Sequence, residues 1–395
     1  MTKHSSHRFD IAIVGTGPAG SLLAYQMAHA GWRVLLLEKH RLPRYKACGG
    51  GLTQRTQALL PFDLSELVED RARTVHLRVH YRTAFLKTDD TAAVHLVMRA
   101  RFDHFLVRQA ETAGAVVHDQ ARFLSLSGSP GQLTVKTTVG HFHARLVVGA
   151  DGVHSRVART LGLPVRYRVM PALEAELAVE PEIRQRLAGS VYFDFGVIPG
   201  GYAWLFPKQD GISTGILARN LPAKHLKPFL LDYLARNGLP GDERFRSLRL
   251  HPIPCRPDHR NSYADARGLV VGDATGLVDP VTGEGIYYAL KSAMIAATVL
   301  LSSESYGPAT ARRYTQAIKA EIEAEVLKAD ILARILYDYS RLSNWVLTRW
   351  GAKIGPTHLA VYRGDMSYRQ LFRYVMSPVG LAHLFWPQRA RTKKS

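Results

Sequence analysis

Near its start the chain runs through a short apolar segment, a glycine-rich turn and a helical segment, an order that few folds accommodate. Residues 9–14 are an apolar run ended by glycine, which predicts a buried strand. Residues 19–30 carry helical periodicity up to Gly31, and residues 33–37 predict a second strand that ends in Glu38. The turn, Gly15-Thr16-Gly17-Pro18-Ala19-Gly20, fits G-x-G-x-x-G. Gly15 permits the tight turn, Gly17 lets the backbone approach a pyrophosphate, and Gly20 lets helix and strand pack closely. From Pro18 and Ala19 onward, the first helical turn directs unpaired N–H groups at phosphate. Glu38, followed by Lys39, stands where a carboxylate accepts from ribose hydroxyls and disfavours a 2′-phosphate. A glycine turn alone is a weak signal. With both strands, the helix and Glu38 it predicts a bound dinucleotide, FAD or NAD rather than NADP.

The formal charge of +19 predicts a surface that attracts polyanions: nucleic acid, anionic lipid headgroups or a diphosphate. Two cysteines, Cys48 and Cys255, make no disulfide framework and suit a reducing compartment. No apolar run reaches the ~18–20 residues of a spanning helix, nor does the N-terminus resemble a signal peptide. The expected place is the cytoplasm, or the inner face of the cell membrane as a peripheral protein. The seventeen histidines show no zinc spacing, so no metal is expected, and the absence of G-x-S-x-G leaves hydrolase readings unsupported.

A second motif decides between the dinucleotides. Residues 269–276 (LVVGDATG) are a strand running into a Gly-Asp turn, and Asp273 there can accept from the ribityl hydroxyls of a flavin. The chain continues through Pro280, Gly283, Gly285 and Ile286 into a helix over 287–301, whose N-terminus suits a flavin edge that becomes anionic on reduction. NAD enzymes do not need this second motif, so FAD is expected. Residues 165–254 are strand-rich around one helix near 225–236, and the chain is mainly helical and basic from about 307.

The expected fold class is therefore α/β (α+β overall), a Rossmann-like FAD-binding domain with an inserted β-rich substrate domain and a helical C-terminal region. The expected divisions are 1–70, 101–164 and 261–306 for the FAD-binding domain, 71–100 and 165–260 for the substrate domain, and 307–395 for the basic helical region. Only the tail 388–395 reads as disordered.

These motifs resemble the FAD-dependent class with the p-hydroxybenzoate hydroxylase fold, and within it the geranylgeranyl reductase family, over roughly residues 9–300. Arg101-Phe-Asp-His-Phe-Leu106 is similar to the family's R-x-x-F-D-x-x-L, which implies that Arg101 lies along the flavin. Ala150-Asp-Gly-Val-His-Ser-Arg156 is similar to the Asp-Gly motif beside the FAD, where Asp151 can buttress the site and cap a helix. Lys46-Ala-Cys-Gly-Gly-Gly51 resembles a K-x-C-G-G stretch of prenyl reductases and implies flavin contact for Lys46, Cys48 and Gly49; Ala121 joins this cofactor set. The segment 199–208 resembles P-x-x-Y-x-W-x-F-P-K, which implies a substrate channel lined by Tyr202, Trp204, Phe206 and Lys208. Plainer readings stand beside these: Cys48 as a small buried hydrophobe, the aromatic residues as core, Arg101 as a surface charge.

The resemblance implies reduction of isoprenoid carbon–carbon double bonds, hydride passing from reduced flavin N5 to the alkene, with Cys48, Tyr202 or water as candidate proton donor. Alternatives on the same fold are a flavin-dependent monooxygenase or halogenase and a redox-neutral isoprenoid cyclase. A single dinucleotide fingerprint leaves NADPH, NADH or reduced ferredoxin to donate electrons transiently. Residues 331–395 hold eleven Lys/Arg, two acidic residues and three of the five tryptophans. There Ile331, Ile335, Leu336, Tyr339, Leu342 and Val346 form a helical stripe bordered by Arg334, Arg341 and Arg349. It predicts either a helix packed on the flavin domain or an interfacial helix on anionic lipid. The expected partners are an isoprenoid or lipid substrate and a membrane surface, not nucleic acid, with the chain a monomer or homodimer.

Overall fold

The computed structural model describes residues 8–375 and 377, so the tail at 388–395 lies outside the described residues. The fold grows around the strand Arg8–Val14, which pairs in parallel with Val34–Leu37 on one side and Gly140–Gly149 on the other. Val116–His118 and Gly268–Val270 extend the parallel sheet. A parallel sheet must be covered on both faces. Ile11 and Ile13 pack into one cluster with the helices Pro18–His29, Arg99–Thr112 and Ile286–Leu301. Ala12 and Val14, pointing the other way, pack under the antiparallel ribbon Phe123–Ser129/Gln132–Thr137 and the helix Arg156–Leu161. The loops leaving the carboxyl ends of these strands carry Gly15, Glu38, Asp151 and Asp273, the edge at which open α/β sheets bind ligands.

A second seven-stranded sheet runs Phe245–Pro257, Tyr167–Leu177, Gly211–Ala218, Gly201–Lys208, Ser190–Phe195, Thr74–Val79, Arg82–Thr88. Neighbours are antiparallel except Ser190–Phe195 with Thr74–Val79. Every residue of Gly201–Lys208 and Gly211–Ala218 is buried. One face packs on the helix Leu226–Arg236, the other on the C-terminal helices. The Phe245–Pro257 strand has no counterpart in the sequence reading, because Pro252, Pro254 and Pro257 read as breakers. It lies at the sheet edge, where a residue without an N–H is tolerated. A three-stranded sheet, Gly51–Thr53, Val94–Val97 and Val68–Ala72, joins the two layers.

The helices Ala324–Asp338, Ser340–Arg363 and Tyr368–Val375 belong to the core of the second layer through Ala333, Tyr337, Leu347, Leu359 and Tyr368. Of the stripe for which packing on the flavin domain or an interfacial role was expected, Ile331, Ile335, Tyr339 and Leu342 point to solvent, while Leu336 packs against the core of the second layer. Gly351 and Gly355 set the close approach to Arg82–Thr88, for a Cβ on Gly355 would stand 2.3 Å from the Phe85 ring. These helices also hold the loop before Ile286: Tyr337 donates to the Val281 carbonyl, and Tyr368 to Asp279 Oδ2 at 2.7 Å. Gly355→Val should therefore overpack this contact and cost about 1–3 kcal/mol of stability, read by urea unfolding.

Candidate active site

The strand-end loops and the aromatic face of the second sheet enclose one cavity of about 630 Å³, within the ~300–1,000 Å³ typical of cofactor and ligand sites. Its floor is backbone. Gly15 has φ +109°, and a Cβ there would meet the Ala150 carbonyl oxygen at 2.3 Å. Gly20 does not line the cavity; a Cβ on it would lie 1.9 Å from the Gly15 carbonyl, so it fixes helix to turn. Gly17 is different. No protein atom lies within 4 Å of the Cβ it lacks, which leaves an open berth at the N-terminus of Pro18–His29.

At one end a buried ladder of charges runs across the cavity wall. Glu38 accepts from Thr16 Oγ1 at 2.6 Å, from the His40 N–H at 3.0 Å and from Arg44 Nε at 3.0 Å. Burial favours its neutral form, but the Arg44 charge and these donors hold its carboxyl below the usual range. Arg44 also reaches Asp103 at 3.0 Å, and Asp103, fully buried, takes a two-pronged pair from Arg99 at 2.8 and 3.0 Å.

Arg99, not Arg101, faces the cavity. Arg101 lies two residues on, outside the cavity, pairing with Glu69 at 2.9 Å and the Glu66 carbonyl at 2.8 Å. Two residues along a helix turn a side chain by about 200°, so both arginines cannot share one face. The motif spacing carried this signal: R-x-x-F-D-x-x-L matches Arg99, Phe102, Asp103 and Leu106, whereas Arg101 directly precedes Phe102.

The other expected cofactor residues are placed as follows. Pro18, Ala19, Lys39, Lys46, Cys48, Gly49, Ala121, Asp151, Asp273, Gly283, Gly285 and Ile286 line the cavity, and Pro280 does not. Asp151 also caps the Arg156–Leu161 helix region, accepting from Ser155 Oγ at 2.5 Å and the Arg156 N–H at 2.7 Å. Lys208 is not in the cavity. Its buried ammonium donates to the Gly49 and Val97 carbonyls, each at 2.8 Å, because the strand end that carries it runs beneath the glycine loop.

Tyr202, Trp204 and Phe206 alternate along their strand onto the cavity face and are joined there by Phe193, Leu217, Ile253 and Tyr362. The Tyr202 hydroxyl donates to the Thr282 carbonyl, and burial pushes its pKa up. Its proton is thereby committed to holding the loop before Ile286. Cys48 is half-buried and within reach of the Arg99 guanidinium.

Two polar pairs in this wall were not foreseen, because His251, Glu174 and Tyr45 belong to no motif. Lys46 Nζ meets His251 Nε2 at 2.7 Å; burial, then the Lys46 charge, pushes the His251 imidazole down to about 4. Glu174, only 2% exposed, accepts from the Tyr45 hydroxyl and from Ser213. Burial first, then the neighbouring Glu176 charge, pushes its carboxyl up to about 8, which favours the protonated form near neutral pH. Strand alternation puts Glu174 on the cavity face, but no periodicity separates it from a surface glutamate.

These residues fit FAD. Gly17 leaves a berth at a helix N-terminus for phosphate, Glu38 has the oxygens for ribose hydroxyls, and Lys46, Arg44 and Arg99 supply positive charge. Gly285, the N-cap of Ile286–Leu301, lies beside Asp273 at the far end, where backbone N–H groups can meet an anionic ring edge. Among the described residues no group of three or more side chains could hold a metal ion. Gly17→Val, whose Cβ has no protein atom within 4 Å beyond its chain neighbours, should fold with unchanged unfolding temperature yet bind FAD at least about tenfold more weakly, about 1.4 kcal/mol. Arg99→Ala should also lose flavin while Arg101→Ala keeps it, read by the absorbance of the purified proteins.

Residues 8–193 match the FAD binding domain family. An uncharacterized protein of Methanosarcina barkeri is 33% identical over 319 residues, 80% of this chain and 81% of that one. Geranylgeranyl diphosphate reductase of Rhodobacter capsulatus is 30% identical over 306 residues, 75% of each chain. Among solved structures, a geranylgeranyl bacteriochlorophyll reductase-like protein from Thermoplasma acidophilum superposes with a TM-score of 0.76 at 22% identity, covering 93% of this chain and 98% of that one. The myxobacterial chondrochloren halogenase CndH shares the fold at a TM-score of 0.62 and 23% identity, over 78% of each chain. The matched domain and the sequence relatives agree: this chain is an FAD-dependent oxidoreductase and belongs to the geranylgeranyl reductase family.

Proposed function

We propose that this protein reduces carbon–carbon double bonds of an isoprenoid chain. The observation that carries the reading is the composition of the cavity wall opposite the glycine loops: Phe193, Tyr202, Trp204, Phe206, Leu217, Ile253 and Tyr362. Such a wall excludes water and orients an alkene, which has no polar handle of its own. When bound, reduced FAD supplies the hydride equivalent.

The protein's own task is the proton. Glu174 is a cavity carboxyl pushed up to about 8, which favours its holding one at neutral pH. On releasing it, Glu174 can regain a proton through Tyr45 if the hydroxyl takes one from Ser247 or water in the same step, because burial pushes the Tyr45 phenol up. The Tyr45 hydroxyl donates to Glu174, accepts from Ser247 at 2.9 Å, and belongs to a side chain 40% exposed. Tyr45 and Ser247 thus give a buried acid contact with bulk water. Tyr202, tied to Thr282, serves the wall and the loop instead.

The test is turnover without oxygen. Purified protein reduced with dithionite, which replaces NADPH, NADH or ferredoxin, should convert geranylgeranyl diphosphate to products heavier by two hydrogens for each double bond reduced. A strict oxygen requirement would move the reading to a monooxygenase or halogenase, and a product of unchanged mass to a cyclase.

The proton assignment makes its own forecast. Turnover should fall as pH rises through about 8, the range in which Glu174 loses its proton. Glu174→Gln should cut turnover roughly 100-fold or more and remove this alkaline limb. Stability should follow the same titration. A carboxyl whose folded pKa is raised stabilises fully below its unfolded value of about 4.3. That contribution is lost as pH climbs through the folded value of about 8, so the Gln variant should resist thermal unfolding better than the parent in alkaline buffer.

A further inference from the structure

We propose that the outward face of the helices Ala324–Asp338 and Ser340–Arg363 docks this protein on an anionic lipid surface. Among the described residues the face is apolar and uncovered. Ile331 is 36% exposed, Ile335 52%, Tyr339 64%, Leu342 57% and Trp345 58%. Within each helix a spacing of three to four residues keeps Ile331 with Ile335 and Leu342 with Trp345, and the exposed Tyr339 stands at the junction between the two helices. The buried side is occupied by Ala333, Tyr337, Leu347 and Leu359 against the second sheet. Trp345 meets Trp350 edge-on at 5.0 Å, so its exposed indole is braced.

Charge chooses the occupant. Arg334, Arg341 and Arg349 are exposed beside these apolar groups. Arg334 pairs with Asp330 at 2.8 Å, whereas Arg341 and Arg349 have no acidic side chain within ion-pair distance among the described residues. A second copy of the chain would bring these arginines against their own equivalents, on molecules of formal charge +19 each. Nucleic acid would answer the arginines and leave five apolar side chains unmatched. A bilayer of anionic lipid answers both: aromatic and aliphatic groups enter the headgroup boundary while arginine heads stay at phosphate level.

The same helix reaches the cavity. Gly355, Leu359 and Tyr362 line a small apolar pocket whose wall shares Phe193, Tyr202, Thr282 and Tyr362 with the main cavity. Trp345 and Leu359 are separated by about 21 Å of helix at 1.5 Å per residue. The docking face and the cavity wall are therefore two stretches of one helix, which suits a substrate drawn from lipid; this last clause rests on the function proposed above, the docking itself does not.

The experiment is co-sedimentation of the FAD-loaded full chain with phosphatidylcholine vesicles, with and without phosphatidylglycerol. Binding should be at least about tenfold tighter with phosphatidylglycerol and should weaken in high salt. The double variant Leu342→Asp/Trp345→Asp should lose at least about tenfold of this affinity, with flavin content and unfolding temperature unchanged. Arg341→Gln/Arg349→Gln, which leaves the apolar groups in place, should lose the preference for phosphatidylglycerol. Absence of binding by the parent, or parent-like binding by both variants, overturns the proposal. So does a dimer in sedimentation equilibrium that the aspartate variant dissociates, because the face would then belong to a second copy. Alkene reduction is not measured in any arm, so a failure here is separable from a failure of the enzymatic reading.

Discussion

Two stretches of backbone that are distant in sequence touch at Gly15, and the cofactor end of the molecule depends on that contact. The Ala150 carbonyl presses on the position a Gly15 side chain would take, and the Gly15 carbonyl presses likewise on Gly20. With no side chains between them, the first turn, the first helix and the Asp151-Gly152 turn share one floor. The ladder Glu38–Arg44–Asp103–Arg99 then ties the strand after the first helix to the helix Arg99–Thr112. Buried ions on that scale are costly unless each is paired and hydrogen-bonded. Here each carboxylate meets at least one guanidinium, so the ladder fixes positions more than it adds stability.

Much of this first layer was legible in the sequence, because its strands are short apolar runs with glycine at the ends and its turns need particular residues. The second layer was less so. The Phe245–Pro257 strand contradicts local propensity and is permitted only by its place at an edge, a tertiary fact. The C-terminal stripe of Ile331, Ile335, Tyr339 and Leu342 has the period of a helix, but a period does not say which face is buried. The burying face uses Ala333, Gly351 and Gly355, small residues whose role is close approach rather than hydrophobicity.

The same division holds within the site. Residues that work through backbone, such as Gly15 and Gly17, announce themselves by spacing. Arg99 was within reach of the motif and was displaced by two positions to Arg101, a shift that turns a helical side chain away from the cavity. Glu174 and His251 had no such signal. Each owes its protonation state to burial and to one partner, Glu176 or Lys46, and neither burial nor partner can be read from a single strand of sequence.

Lys208 carries one more consequence. Its ammonium is clamped between the carbonyls of Gly49 and Val97 while its backbone belongs to the same strand as Tyr202, Trp204 and Phe206. The loop bearing Cys48 and the aromatic wall are thus riveted by a single charged pin, and the gap between them is held at fixed width. A bulky ligand cannot widen that slot by spreading the two layers at this end without tearing two charge-assisted hydrogen bonds out of a dry interior. Room has to come from the opposite end, where Phe193, Tyr202, Thr282 and Tyr362 form the wall that the cavity shares with the pocket beside Gly355. The slot is pinned beside the glycine loop, and any further room for a ligand lies toward the C-terminal helices.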